Sequence, residues 1–428
     1  MIPCFRLPAL PLAHRVGAAL MTGAVLMSPM AARATDGYFL DGIGGKAKGA
    51  GGVALAQPED ALAIASNPAT ATEIGHRLDV GVELFIPNRS ATITGNAAGL
   101  SGTYSGNGAN PFVLPDFAYV RPVSDKVSVG IAIYGNGGMN TVYRRNPFSA
   151  FGAQGDAGVD LKQIFITPTA AVKVLPGQSL GISPIVVVQA FRAYGIQPFS
   201  GYSSDPSHFT NLGTSWSTGA GVRLGYFGHI GRAIRIGGFY ETKVKAGHFG
   251  KYSGLFSNQG SFDVPAAWGG GIAVTPVRAV TLALDVKRIE YSGVSSVGNP
   301  IGLLFTGTPF GATGGPGFGW RDITAIKTGV TWRATPAWTF RAGYSHSGNP
   351  VPTNQTLLNI LAPGVVAHHI TGGATWASRK GVEVTGYVVV APKNHVYGDG
   401  SIPQAFGGGE SNIALGETSV GASVGIKF

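Results

Sequence analysis

Cysteine is almost missing: among 428 residues only Cys4 occurs, and it falls within the first 34. If that segment is a leader, the working chain has no thiol, no disulfide and no cysteine-bound metal, so its stability must come from packing or from sheet closure. Charge is scarce as well, since Asp, Glu, Lys and Arg make up 12% of the residues, about half the share of an average soluble domain. An ordinary cytosolic enzyme does not look like this. After residue 34 no stretch offers the roughly 18 consecutive apolar residues of a membrane-spanning helix; the best, PIVVVQAF, is far too short. What the chain has instead is glycine, 67 of it, with 22 Phe, 14 Tyr and 6 Trp, a composition that fits exposed apolar surface carried on something other than helices.

The first 34 residues read as an export signal. Arg6 and Arg15 supply positive charge, Val16 to Met27 an apolar core, and Ala32-Arg33-Ala34 a cleavage site, which makes Thr35 the mature start. Losing Arg6, Arg15 and Arg33 leaves 28 basic against 21 acidic residues, so the net charge falls from +10 to +7. These charges are scattered without a basic run, which favours anionic surfaces or ligands and gives no nucleic-acid footprint.

From Arg77 onward the residues alternate. Leu78, Val80, Val82 and Leu84 are apolar, while Asp79, Gly81 and Glu83 between them are polar or small. AWTFRAGYS and the final TSVGASVGIKF repeat the pattern. The connections between such segments alternate too. Short ones lie at 122–126, 175–179, 227–232, 275–278, 334–337 and 377–381; long ones rich in Gly, Ser, Asn and Pro lie near 95–112, 144–157, 198–212, 247–261, 292–320, 348–363 and 394–416. Six short and seven long connections imply about fourteen strands with both ends on one side. A soluble sandwich has no use for that asymmetry. A fourteen-stranded antiparallel transmembrane β-barrel, all-β, needs it: closure satisfies the backbone in lipid, tight turns face the periplasm and long loops face outside. Phe428, last in an alternating strand, resembles the signal by which the barrel-assembly machinery recognises such chains.

Residues 35–76 do not alternate, so they are read as an N-terminal hatch plugging the barrel of residues 77–428. The run DGIGGKAKGAGG at Asp41 to Gly52 has no Ser or Thr after either lysine, as a phosphate loop requires, whereas glycine lets backbone lie close against a wall. The stretch Gly37 to Ile74, with its Asn67-Pro68-Ala69 motif, resembles the hatch of the long-chain fatty acid transporter (FadL) family of outer-membrane proteins. DFAYVRPVSDKVSVGIAIYGNGGMNTVY at 116–143, GWRDITAIKTGVTWRATPAWTFRAGYSHSGNPV at 319–351 and NILAPGVVAHHITGGATW at 359–376 are similar to further family signatures.

That resemblance implies passive uptake of hydrophobic molecules: capture in a loop groove, binding in an internal apolar pocket, and exit sideways through a kink in the third strand. Gly135, Gly137 and Gly138 lie where the kink belongs; glycine inside a strand marks a bulge or bend, though barrel curvature would use it equally. The capture loops correspond to Phe199, Tyr202, Phe209 and Leu212 opposite Phe249, Tyr252, Leu255 and Phe256, read as exposed side chains that bind an apolar ligand or cover one another. A fatty carboxylate would want a cation, for which Arg192, Arg223, Lys243 and Arg341 are candidates. The family's pocket arginine near the end of the fifth strand has no counterpart in AYGIQPF.

Other readings are weaker. Gly421-Ala422-Ser423-Val424-Gly425 matches G-x-S-x-G, but only three residues follow, too few for the helix of a nucleophile elbow. His368 and His369 are strand neighbours on opposite faces and cannot share a metal. A general diffusion porin needs an open lumen, and a lipid hydrolase needs a nucleophile. The expectation is therefore a monomeric, non-enzymatic outer-membrane channel without cofactor or metal. Its partners would be long-chain fatty acids or, alternatively, aromatic hydrocarbons, together with membrane lipid and lipopolysaccharide.

Overall fold

The alternation seen from Arg77 onward is realised as strands whose inward side chains are buried and whose outward ones are bare. In the first strand Asp79, Glu83 and Arg89 are buried, while Val80, Val82, Leu84 and Ile86 are each 39–49% exposed, the state of side chains that face lipid. The structure, a computed structural model, describes residues 36–428; the export signal and its cleavage site lie outside the described residues.

Fourteen long strands build the wall: β1 (Arg77–Thr94), β2 (Phe112–Pro122), β3 (Val127–Asn140), β4 (Gly158–Leu175), β5 (Gln178–Tyr194), β6 (Ser215–Ile230), β7 (Ile234–Glu241), β8 (Ala267–Val277), β9 (Val280–Ile289), β10 (Ile323–Arg333), β11 (Trp338–Ser347), β12 (His368–Ala377), β13 (Val382–Val396) and β14 (Glu410–Lys427). Each pairs antiparallel with its chain neighbours. β14 pairs back onto β1 from Arg77↔Lys427 to Thr94↔Glu410, which closes the barrel and leaves no free edge at the seam. Turns of two to four residues join the strands at one end and long segments join them at the other. Two further short strands, Gly102–Ser105 and Lys245–Ala246, lie within the long segments.

Residues Asp36 to His76 form short pieces: helix α1 (Gly45–Gly49), 3-10 turns at Ala61–Ala65 and Pro68–Thr70, and helix α2 (Ala71–Ile74). Ion pairs hold this segment against the inner wall. Lys46 meets Glu383, Lys48 meets Glu83, and Arg341 Nε donates to Glu59 at 2.8 Å. Lys327 bridges Asp36 at 2.9 Å and Asp41 at 3.2 Å. Burying such pairs gains little net stability, but each fixes where the segment sits. Glycine provides the close approach: at Gly51, with φ +74, a Cβ would stand 2.4 Å from the Thr328 carbonyl oxygen of β10.

Candidate binding site at a break in the barrel wall

The ladder between β2 and β3 stops well short of the long-loop end of the barrel. β2 and β3 pair from Pro122↔Ser128 to Asp116↔Tyr134 and no further. Beyond that point β2 stays with β1 from Val82↔Pro115 to Phe85↔Phe112, and β3 stays with β4 as far as Asn140↔Asp160. Between Phe112–Pro115 on one side and Gly135–Asn140 on the other, the wall has no rungs. Pro115 lacks an N–H for a ladder and suits such an edge. On the β3 side the register with β4 slips between Gly135/Ile164 and Gly137/Gln163, so Asn136 is an extra residue that bends the strand.

The backbone groups that β3 withdraws from β2 are taken up from inside the barrel. Gly138 N donates to the Tyr38 carbonyl at 3.1 Å and Leu40 N to the Asn136 carbonyl at 3.2 Å, with Phe39 bridged to Gly137. Gly137 permits this contact. Its φ is +153, and a Cβ there would lie 1.8 Å from the Tyr38 carbonyl oxygen.

Behind the break lies a cavity of about 570 Å³, lined mainly by apolar groups from β1–β4, the Gly37–Gly42 segment and the Ala362–Gly364 loop. Phe112, Val113, Ile133 and Gly135 form the edges of the gap; Phe39 and Trp320 lie on the inner side. Tyr38, Tyr291 and Trp320 stiffen that inner side, with ring centroids 5.0–5.8 Å apart. Among the charged groups in the lining, Asp41 is held by Lys327 and Ser345, with His369 3.5 Å away. Burial pushes the Asp41 carboxyl up, but Lys327, His369 and Ser345 outweigh it, so its pKa lies below the ordinary carboxylate value. The opposite holds for Asp60 elsewhere in the segment: burial, reinforced by Asp79, raises its pKa to about 7.

The site residues read from sequence fall in three places. Gly135, Gly137 and Gly138 line the cavity at the break. Asn67, Pro68 and Ala69 do not touch it. They clamp the segment to β5 and β6: the Asn67 amide donates to the carbonyls of Leu55 and Tyr226, both at 2.9 Å, and accepts from Ala69 N at 3.1 Å, while Gly181 and Gly225 leave room for the motif.

The loop residues call for a correction. Phe199, Phe209, Phe249, Tyr252 and Phe256 are all buried, not exposed; Leu212 and Leu255 are half-buried, and only Tyr202 is exposed. Their rings pack against neighbours that the two loops alone could not supply, Phe199 on Phe148 at 5.0 Å, Phe209 on Phe310 at 5.6 Å and Phe256 on Phe191 at 4.6 Å. An apolar cavity of about 40 Å³ remains between them.

The cation candidates are also accounted for. Arg223 pairs with Glu241 and Arg341 with Glu59, while the side chains of Arg192 and Lys243 are 48% and 39% exposed and lean towards Asp160 and Asp263. Sequence reasoning missed Arg89, whose guanidinium borders the main cavity, and the Phe112–Pro115 edge. Pro111 and Pro115 flanking a strand start were the available signal for that edge. His369 faces inward towards Asp41 and Glu417, whereas His368 lies against Tyr344 and His346, so the two do not converge. Ser423 is an inward side chain on β14, packed where Gly45 passes.

A closed fourteen-stranded antiparallel barrel with a filled lumen and a gap in its wall is the architecture of an outer-membrane transport channel. The family described as outer membrane protein transport protein (OMPP1/FadL/TodX) matches residues 41–396, and the chain belongs to that family. It is a protein of the bacterial outer membrane that transports hydrophobic compounds. A long-chain fatty acid transport protein of Salmonella typhi is 23% identical over 381 residues, covering 81% of this chain and 84% of that one. The P. putida toluene transporter TodX superposes with a TM-score of 0.67 at 16% identity, covering 91% of this chain and 99% of the other. A Pseudomonas aeruginosa FadL homologue gives 0.67 at 15% identity, covering 92% and 100%. At these identities the structural likenesses speak for the fold.

Proposed function

We propose that the chain takes up long-chain fatty acids by passive diffusion, from the outer loops into the 570 Å³ cavity and out through the gap between β2 and β3 into the membrane. The observation that carries this reading is the position of the cavity: it is apolar, of ordinary ligand-pocket size, and lies at the gap where β2 and β3 part. Gly135, Gly137 and Gly138 form the kink that makes the opening, and Asn67, Pro68 and Ala69 hold the hatch below it. The driving force at each stage is transfer of apolar ligand surface out of water, roughly 0.8 kcal/mol per CH₂. The cavity exceeds what one aromatic ring fills, and the curated relative is a fatty acid transporter by name.

Aromatic hydrocarbons are the second reading, favoured by the toluene transporter among the similar structures. The residues around Phe199, Phe209 and Phe256 then serve in either case as the outer capture region, opened by movement of loops that are closed over one another here. Uptake of radiolabelled oleate and of toluene, in cells lacking their own transporter and expressing this chain, separates the two. Oleate uptake supports the proposal, toluene uptake alone changes the substrate, and uptake of neither compound overturns it.

A further inference from the structure

Arg89 is the exception among the buried cations. The other six lysines and arginines buried among the described residues, from Lys46 to Arg341, each have a carboxylate oxygen within 4.0 Å. Arg89, 3% exposed on the inner face of β1, has none among the described residues. Its Nη1 donates to the Asn140 carbonyl and, at 3.2 Å, to Asn140 Oδ1; its Nη2 donates to Asn110 Oδ1; its Nε has no acceptor. The guanidinium carbon lies 5.6 Å from the centre of the Phe112 ring. Neutral amides thus orient the fork without cancelling its charge, and a buried, uncancelled charge is costly. The two acids that share this part of the lining, Glu417 and Asp160, are engaged with His369 at 3.6 Å and Lys162 at 2.9 Å.

We infer that Arg89 binds the head group of an amphipathic anion, an alkyl carboxylate, while the alkyl chain lies along Phe112, Val113 and Ile133 towards the gap. This rests on the transport reading above and specifies its substrate class. A carboxylate taking the place of the Asn110 and Asn140 oxygens brings the opposite charge that those amides lack, and a guanidinium receives it with two parallel donors. A neutral alkyl compound in the same cavity brings Arg89 no opposite charge. The residue therefore selects acids over neutral molecules of the same length.

The test compares radiolabelled oleate with oleyl alcohol, which has the same chain and no charge, in cells expressing the wild type, Arg89→Gln or Arg89→Lys. Loss of one charge-assisted interaction should lower oleate uptake by Arg89→Gln about tenfold at limiting concentration. Oleyl alcohol uptake should stay within about twofold, since its hydroxyl accepts only a neutral-strength bond. Arg89→Lys should retain most oleate uptake because the charge is kept. Equal losses for acid and alcohol, or undiminished oleate uptake by Arg89→Gln, would overturn the role of Arg89 while leaving transport intact. If the wild type takes up neither compound, the transport reading fails and this inference with it.

Discussion

Lys46 and Lys48, set among glycines, suggest a phosphate loop on composition alone; in the fold each is spent on a glutamate of the wall, Glu383 and Glu83. The missing Ser or Thr was the legible sign, because a cradle for phosphate needs it and a seam between hatch and wall does not. Asn67 is similar: the sequence marks it as special, and the structure makes it a clamp that joins Leu55, Ala69 and Tyr226. Replacing it leaves those buried groups short of partners, so Asn67→Ala should cost about 1–3 kcal/mol of local stability. Hydrogen exchange should locate that loss in residues 61–74, with strand amides unchanged; uniform loosening of the barrel would contradict it. Arg89 was not legible. A strand periodicity places it inward, but only the fold reveals that no acid among the described residues pairs with it.

Strand elements were the most readable level, because the period of two and the alternation of short and long connections both follow from lipid outside and lumen inside. The bend in β3 was legible through Gly135, Gly137 and Gly138. Its counterpart was not: the hatch backbone at Tyr38 to Leu40 takes over the hydrogen bonds that β2 gives up, a long-range pairing that no local pattern encodes. The outer loops show the same limit. Sequence supplies aromatic residues in two loops but not the third and fourth segments, carrying Phe310 and Phe406, that cover them. Phe256 packs on Phe191, Phe249 and Phe262 with centroids 4.6–6.0 Å away. Truncating it to alanine should remove about 3–5 kcal/mol of packing. Limited proteolysis should then cut the outer loops faster, while the barrel keeps its heat-dependent mobility on gels; unchanged cleavage would mean that the loops are held by something else.

At the scale of the whole molecule, closure by β14 on β1 and a lumen occupied by the hatch are what distinguish this chain from an open pore. Purified protein in a planar bilayer should therefore show no large steady current. Lys327→Ala with Arg341→Ala leaves Asp36, Asp41 and Glu59 without their closest cations; that variant should conduct, since buried carboxylates short of opposite charge favour a displaced hatch. Large currents from the unaltered protein would point to a porin.

The central claim is that ligand leaves sideways through the gap beside β3, and the extra residue Asn136 is what bends that strand away from β2. Deleting Asn136 should straighten β3 and let the ladder close. The decisive measurement is radiolabelled oleate uptake by cells expressing the deletion at wild-type surface level with unchanged gel mobility. The account predicts uptake at the background of cells without the protein; uptake equal to that of the wild type would mean that the ligand passes down through the hatch instead.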